Sequence, residues 1–203
     1  MKRPVRFEMH RSTHTHSLAS FIAVACCLVL GPACKKAPSR ATITKTLDGI
    51  RPGEERALAQ GIYLKLFRIQ ATAPIGDGWQ LATSTEGGFS VEMPLAFNDF
   101  RERATATDGV EVRTYSVGAK SPGGVAWAAT CIARRDGKLG PDGGAPRPER
   151  TETRAKSISR IIEWSDRRCV LTIEAQGAQP LPSEADRARF LRSLKRTGPV
   201  VWR

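Results

Sequence analysis

Short stretches from residue 79 onward alternate apolar and polar residues, as do strands with one buried face. In GGFSVEMP, Phe89, Val91 and Met93 alternate with polar neighbours, and the proline that follows ends the predicted strand. GVEVRTYSVG and GGVAWAATCIARRDG predict two further strands by the same alternation. Turn-rich segments separate these stretches, so the pattern predicts an antiparallel sheet.

Two apolar stretches on either side of residues 165–168 predict a hairpin. SISRIIEW and CVLTIEAQG flank this four-residue loop. The alternation assigns two sets of side chains to inward faces, Val125, Trp127, Ala129 and Cys131 in the preceding strand and Cys169, Leu171, Ile173 and Ala175 in the hairpin.

PSEADRARFLRSLKRTG predicts a C-terminal amphipathic helix. Ser183 is the predicted N-cap, Lys195 and Arg196 the last basic residues, and Gly198 the point where the helix ends. With the strands, it predicts an α+β fold of one domain, in which helices cover an antiparallel sheet. RPGEERALAQGIYLKLFRIQ, ahead of the sheet, fits either a helix or a strand.

The first part of the chain has the pattern of an export signal. Basic residues precede a stretch without Asp, Glu, Lys or Arg between Arg11 and Lys35, and its core from Ser17 to Ala33 is apolar. A positive start, a short apolar run and small residues at its end predict a secretory signal peptide. The run is marginal in length for a membrane-spanning helix.

The stretch Leu30-Gly31-Pro32-Ala33-Cys34 resembles the processing site of bacterial lipoprotein precursors, although the leucine lies four positions before the cysteine instead of three. The resemblance implies that Cys34 is acylated, becomes the new N-terminus and anchors the chain in a membrane of the cell envelope, facing the periplasm or the exterior. Two alternatives remain open: cleavage near Ala33 that releases a soluble secreted protein, and an uncleaved anchor helix. The predicted organisation is a signal peptide over 1–33, the lipidated Cys34 and a basic tether over 34–50, an ambiguous lead-in over 51–78, a globular domain over 79–198 and a tail over 199–203.

EGGFSVEMP followed by antiparallel strands and the helix ARFLRSL resembles PsbP/Mog1-like domains over residues 79–197. The resemblance implies an α/β/α sandwich with a non-catalytic accessory or binding role. It assigns no functional residue to this chain.

The histidines and cysteines limit the chemistry of the mature chain. The full sequence has three histidines, His10, His14 and His16, and all three lie in the predicted signal peptide. Their removal excludes Ser-His-Asp and Cys-His catalysis and histidine zinc sites, so we expect no catalytic residue, metal or cofactor. Cys131 and Cys169 remain as an even pair in an oxidising compartment, which favours a disulfide over two buried thiols.

The acidic residues offer two pairs for carboxylate catalysis, Glu92 with Glu111 and Glu163 with Glu174. Glu92 and Glu111 alternate with apolar neighbours, so solvated outward positions are the favoured interpretation. A histidine-free envelope hydrolase is therefore the alternative function, together with an accessory subunit of an envelope complex.

The chain is strongly basic, with a formal net charge of +12. On the predicted helix Arg189, Arg192 and Arg196 share one face, and Arg167 and Arg168 lie in the hairpin loop. We expect these five arginines to attract anionic lipid or an anionic envelope polymer, the alternative being a solvated surface of biased composition. An exported protein rarely meets nucleic acid, so the predicted function is non-enzymatic binding or structural support at the envelope, with an envelope protein as a further candidate partner.

Overall fold

The structure is a computed structural model that describes residues 50–59, 61–69, 78–138 and 148–202. The predicted signal peptide, Cys34, the histidines and nearly all of the predicted tether lie outside these residues. Of the described residues, 53% are in strands and 7% in a helix.

The described residues contain eleven strands and one helix. The strands are β1 (Glu55–Ala59), β2 (Ile62–Arg68), β3 (Gln80–Thr83), β4 (Phe89–Met93), β5 (Asn98–Thr105), β6 (Glu111–Lys120), β7 (Val125–Arg134), β8 (Arg150–Arg154), β9 (Ser157–Glu163), β10 (Arg168–Ala175) and β11 (Lys195–Arg196). The helix is α1 (Glu184–Arg192).

The strands pair antiparallel and form two sheets. The large sheet has eight strands in the order β1-β2-β5-β6-β7-β10-β9-β8, and the small sheet has three in the order β11-β4-β3. The predicted hairpin is confirmed, since β9 pairs with β10 from Glu163 opposite Arg168 to Ser157 opposite Glu174.

The segment that the sequence left open between helix and strand forms β1 and β2. Ile62, Leu64 and Leu66 alternate with partly exposed residues and are buried. β1 pairs with β2, and β2 pairs with β5 over nearly its whole length. Both β1 and β2 therefore belong to the large sheet.

The main core lies between one face of the large sheet and a layer formed by the small sheet and α1. Phe89, Val91 and Met93 of β4 contribute to it, as the alternation in GGFSVEMP predicts. From α1, Phe190 and Leu191 enter the same cluster. Six of the eight predicted inward residues of β7 and β10 are buried there as well: Trp127, Ala129, Cys131, Cys169, Leu171 and Ile173. Val125 is partly buried against this cluster, and Ala175 is buried without belonging to it.

A second apolar cluster lies on the opposite face of the large sheet. It contains Leu64 and Leu66 of β2, Phe100 of β5 and Ala126 of β7. Side chains of successive strand residues point to opposite faces, so Ala126 faces away from the neighbouring Trp127 of the main core. The large sheet therefore buries apolar side chains on both faces.

The α+β fold with helices covering the sheet is wrong. The described residues form a β-rich fold with one short helix, so the α/β/α layering that the PsbP/Mog1-like resemblance implies is not seen there either. The layer over the main core consists largely of a second sheet, which the sequence analysis did not separate from the first.

The C-terminal helix begins as predicted and ends earlier than predicted. The hydroxyl oxygen of Ser183 accepts a hydrogen bond from the backbone N–H of Asp186, as expected of an N-cap. The helix stops at Arg192 because Lys195 and Arg196 pair with β4 and extend the small sheet. Tertiary strand pairing overrides the local helical preference of these residues.

Two strands lacked an alternating signal in the sequence. In β5, Asp99, Arg101 and Glu102 are polar yet buried. Arg101 donates hydrogen bonds to Glu86 over 2.5 Å and to Glu55 over 2.7 Å, which stabilises its charge away from solvent. Strand β8 is exposed along its length and pairs with β9 at the edge of the sheet.

Cys131 and Cys169 form a disulfide, in agreement with the expectation from the sequence, and their sulfur atoms lie 2.08 Å apart. The two residues are direct partners in the pairing of β7 with β10, and both side chains are buried in the main core. The bond closes a chain segment with a sequence separation of 38. It therefore restricts the unfolded chain while joining two central strands.

Replacing both cysteines by alanine should lower the free energy of unfolding by about 4 kcal/mol, the entropy expected for closing a loop of this length. Urea denaturation of the oxidised protein, the reduced protein and the double variant Cys131→Ala/Cys169→Ala would measure this. Reduction and substitution should shift the midpoint to a similar extent. Equal midpoints for the oxidised and reduced proteins would contradict a stabilising bond.

Candidate functional site

The five arginines proposed for anionic binding do not form one surface. Arg189 and Arg192 lie on α1, and Arg196 lies on β11, so the predicted three-arginine helix face is wrong. Arg168 begins β10, and Arg167 precedes it in the hairpin loop.

Arg167 is fully buried, with 0% of its side chain exposed. Its guanidinium donates to both carboxylate oxygens of Asp166, over 3.1 and 2.7 Å, and to the carbonyl oxygens of Gly87, Gly88 and Gly198. One side chain therefore joins the β9–β10 loop, the turn before β4 and the C-terminal segment. Arg167 is part of the structure's interior and is removed from the predicted binding surface.

The two glycines whose carbonyl oxygens accept from Arg167 lie in a crowded turn before β4. A Cβ atom on Gly87 would lie 2.7 Å from the Phe89 ring and from the Tyr115 side chain. Gly88 has a φ of +61°, and a Cβ there would lie 2.5 Å from the carbonyl oxygen of Gly198. The EGGF stretch is thus a turn that leaves room for core side chains and for the C-terminal segment.

The charge of Arg167 is balanced by Asp166. Burial favours a higher pKa for Asp166, but the hydrogen bonds from Arg167 and the charge of Arg196 outweigh it and lower the pKa. The carboxylate is therefore ionised at neutral pH, as a buried guanidinium requires.

Three other arginines of the set are partly or largely exposed and held by acidic residues. Arg168 binds Glu163 over 2.7 Å, and Arg196 binds Asp166 over 3.1 Å. Arg189 binds Glu92 over 2.5 Å and stacks on the Trp79 ring, with its guanidinium carbon 4.3 Å from the ring centroid. Arg192 is exposed, and no ion pair joins it to another described residue. Of the five, Arg192 is therefore the one whose charge is most available to a ligand.

Arg192 borders a cleft of about 450 Å³ between α1 and the β8–β9 hairpin. This volume is within the range of small-molecule sites. The cleft combines an apolar floor with charged walls, and its lining consists of Glu149, Thr151, Ile158, Arg160, Glu184, Arg187, Ala188, Leu191 and Arg192.

Arg160 fixes the two walls of the cleft to each other. Its guanidinium donates to both carboxylate oxygens of Glu149, over 2.7 and 2.9 Å, and to the carbonyl oxygen of Leu191 in α1. The hydrogen bonds from Arg160 lower the pKa of Glu149, which keeps this carboxylate charged. This arginine and this carboxylate are therefore already paired with each other.

Arg187 is the unusual residue of the cleft. Its Nε atom is buried and has no hydrogen-bond partner. Leaving a buried donor unsatisfied costs about 1–3 kcal/mol, and more for a charged group, so such a donor marks a position where an acceptor would be favourable. No ion pair joins Arg187 to another described residue.

Arg160 and Arg187 were not among the site residues predicted from the sequence. A signal for Arg160 existed, because it shares the inward face of β9 with Ile158 and Ile162, where a charged residue is unexpected. Arg187 carries no comparable signal, since an arginine in the first turns of an exposed helix is ordinary.

The proposed carboxylate pairs do not converge. Glu163 lies opposite Arg168 and Glu174 opposite Ser157, at the two ends of the hairpin. At about 3.3 Å per residue they are about 20 Å apart, too far to act on one bond. Glu92 is bound to Arg189, whereas Glu111 is bound to Arg113 and Arg135.

Asp99 is the buried acid with the clearest perturbation. Burial raises its pKa, although Thr85 donates to it from its backbone N–H over 2.8 Å and from its hydroxyl over 2.6 Å, and Ser84 from its hydroxyl over 3.3 Å. These donors belong to the turn before β4. Asp99 therefore holds the turn that also carries Gly87.

Among the described residues, no group of three or more His, Cys, Asp or Glu side chains could hold a metal ion. Within the same ranges, no helix has the length and apolarity needed to cross a bilayer.

No protein-family model matches the chain, and comparison with curated proteins and with solved structures gives no match.

Replacing Arg167 by glutamine should lower the free energy of unfolding by about 3–5 kcal/mol, because three backbone carbonyls lose a donor and Asp166 loses its buried partner. Arg196→Gln is the matched control, since Arg196 binds the same carboxylate but is 46% exposed. We expect it to cost at most about 1 kcal/mol. Urea denaturation distinguishes the two, and equal small losses would show that Arg167 does not join these segments.

Proposed function

We propose that this chain is an exported envelope protein, anchored by lipid at Cys34, whose domain binds an anionic partner without catalysing a reaction. The anionic partner is a membrane surface or an envelope polymer. The observation that carries the binding role is the cleft beside α1, where arginines without an ion pair to any described residue surround open space.

The disulfide supports export. Disulfides persist in secreted and periplasmic proteins and are rare in reducing compartments. A bond between two central strands of the large sheet is consistent with folding outside the cytoplasm. The same compartment is implied by the basic start, apolar run and cysteine of the first 34 residues.

The edge of the large sheet next to α1 supports attraction to anions. We call it the basic edge and define it by Arg150, Arg154, Lys156, Arg187 and Arg192, which lie on β8, the β8–β9 turn and α1. The acidic residues nearby are partly committed, because Glu149 binds Arg160 and Glu152 binds Arg150. Near an anionic membrane each basic residue contributes about 1 kcal/mol, and salt screens this attraction.

The mass of the protein purified from membranes tests export and anchoring. We expect a chain that starts at Cys34, carries acyl chains and lacks the two hydrogens of the disulfide. A Cys34→Ser variant should lack the acyl mass and leave the membrane fraction. A mass that retains Met1, in soluble cytoplasmic protein, would contradict the proposal.

Binding of the folded domain to vesicles tests the anionic partner. We expect the domain without its leader to sediment with phosphatidylglycerol-containing vesicles and not with pure phosphatidylcholine, with binding lost as salt is raised. The variant Arg154→Gln/Lys156→Gln should weaken binding by about thirtyfold, at about 1 kcal/mol per residue.

The matched control is Arg51→Gln/Arg135→Gln, which removes the same charge from exposed positions outside the basic edge. It should change binding less than the edge variant does. Equal effects of both variants would indicate that net charge acts and the edge does not, and salt-independent binding would contradict electrostatic attraction.

A further inference from the structure

The cleft between α1 and the β8–β9 hairpin differs from the rest of the basic edge because it is a concave site. Arg150, Arg154 and Lys156 are exposed along the edge, where they can meet a surface of any shape. Arg187 and Arg192 instead both line the cleft. A small molecule that enters the cleft can contact both side chains together with the apolar residues between them, which a flat anionic surface cannot do.

The chemistry of the walls selects an anion. Arg160 is occupied by Glu149 and by the Leu191 carbonyl, so it holds the cleft open and is not free to bind. Arg187 and Arg192 remain, five positions apart on α1, together with one carboxylate of the lining, Glu184, so positive charge is in excess in the cleft. Guanidinium groups bind carboxylate and phosphate oxygens with paired hydrogen bonds.

The apolar residues that line the cleft favour a ligand that carries an apolar portion next to its anionic group. Ile158 of β9 and Ala188 and Leu191 of α1 line the cleft, and Ile158 also packs against the main core. An inorganic anion would leave these side chains in contact with water. A ligand with a short alkyl group would cover them and gain affinity from the apolar surface removed from water.

We propose that this cleft binds the head of a small anionic amphiphile, a phosphate monoester or carboxylate that carries an alkyl chain. Arg187 and Arg192 bind the anionic oxygens, and Ile158, Ala188 and Leu191 contact the alkyl portion. The inference deepens the proposed function and rests on it for the origin of the ligand, which is either the head of a membrane lipid or a free amphiphile of the envelope.

Calorimetric titration with hexyl phosphate, inorganic phosphate and hexanol tests both parts of the site. Wild-type protein should bind hexyl phosphate at least about tenfold more tightly than either of the others, since each of these lacks one half of the interaction. Arg187→Gln and Arg192→Gln should each weaken hexyl phosphate binding by about tenfold or more. Arg154→Gln, outside the cleft, should leave it unchanged.

A second pair of variants at Ala188 separates charge from bulk. Ala188→Glu introduces a carboxylate that repels the ligand and should abolish binding. Ala188→Gln adds nearly the same volume without charge and should retain more binding. Circular dichroism and thermal unfolding establish that each variant is folded before it is titrated.

Absence of hexyl phosphate binding to the wild-type protein, or equal binding by wild type and Ala188→Glu, would overturn the assignment. Equal affinity for inorganic phosphate would overturn the apolar half. Vesicle sedimentation of Arg187→Gln/Arg192→Gln, compared with Arg154→Gln/Lys156→Gln, which removes the same charge from the edge outside the cleft, distinguishes the origin of the ligand. A larger loss of vesicle binding in the cleft variant identifies a lipid head. An equal or smaller loss, with lost hexyl phosphate binding, identifies a free amphiphile. If wild-type protein binds hexyl phosphate and ignores anionic vesicles, membrane attraction fails and the cleft assignment stands.

Discussion

One buried arginine joins three parts of the chain that are distant in sequence. Arg167 donates to Asp166 in its own loop, to Gly87 and Gly88 before β4, and to Gly198 after β11. The large sheet supplies the arginine and the small sheet supplies most of the acceptors, so the packing of the two layers depends on this contact. Burying a guanidinium is costly unless most of its donors are satisfied and its charge is balanced, and both conditions constrain the neighbouring residues. The two glycines and Asp166 meet these conditions, which explains why a polar turn lies against the main core.

Two sets of arginines differ in burial and in role. Arg167 and Arg101 lie inside the structure and are occupied by acceptors from other segments. Arg187 and Arg192 line an open cleft without an ion pair to another described residue, and Arg160 fixes the walls of that cleft. The basic composition therefore does not describe a uniform charged coat. Part of the positive charge stabilises the contact between layers, and part remains available to an anionic ligand beside α1.

The sequence predicted the elements whose apolar residues alternate, and it failed where polar residues are buried. Phe89, Val91 and Met93 predicted β4 because each faces the main core, and the alternation through Cys131 and Cys169 placed the disulfide partners on inward faces. Strand β5 escaped detection because Asp99 and Arg101 occupy buried positions that are satisfied only by distant partners. The predicted end of α1 and the placement of Arg196 on that helix were wrong because pairing of β11 with β4 is a tertiary contact. The cleft could not be predicted, since Arg160 and Arg187 line one space only when α1 packs over the large sheet.

The central claim is that Arg167 belongs to the interior and that Arg187 and Arg192 belong to a binding site. Nitrogen-15 spectra of the arginine side-chain Nε–H groups, recorded in heavy water and during addition of hexyl phosphate, test it directly. We expect the Arg167 signal to exchange slowly with deuterium and to keep its position, while the Arg187 and Arg192 signals shift as ligand is added. Fast exchange at Arg167, or a shift there as large as those in the cleft, would contradict this division.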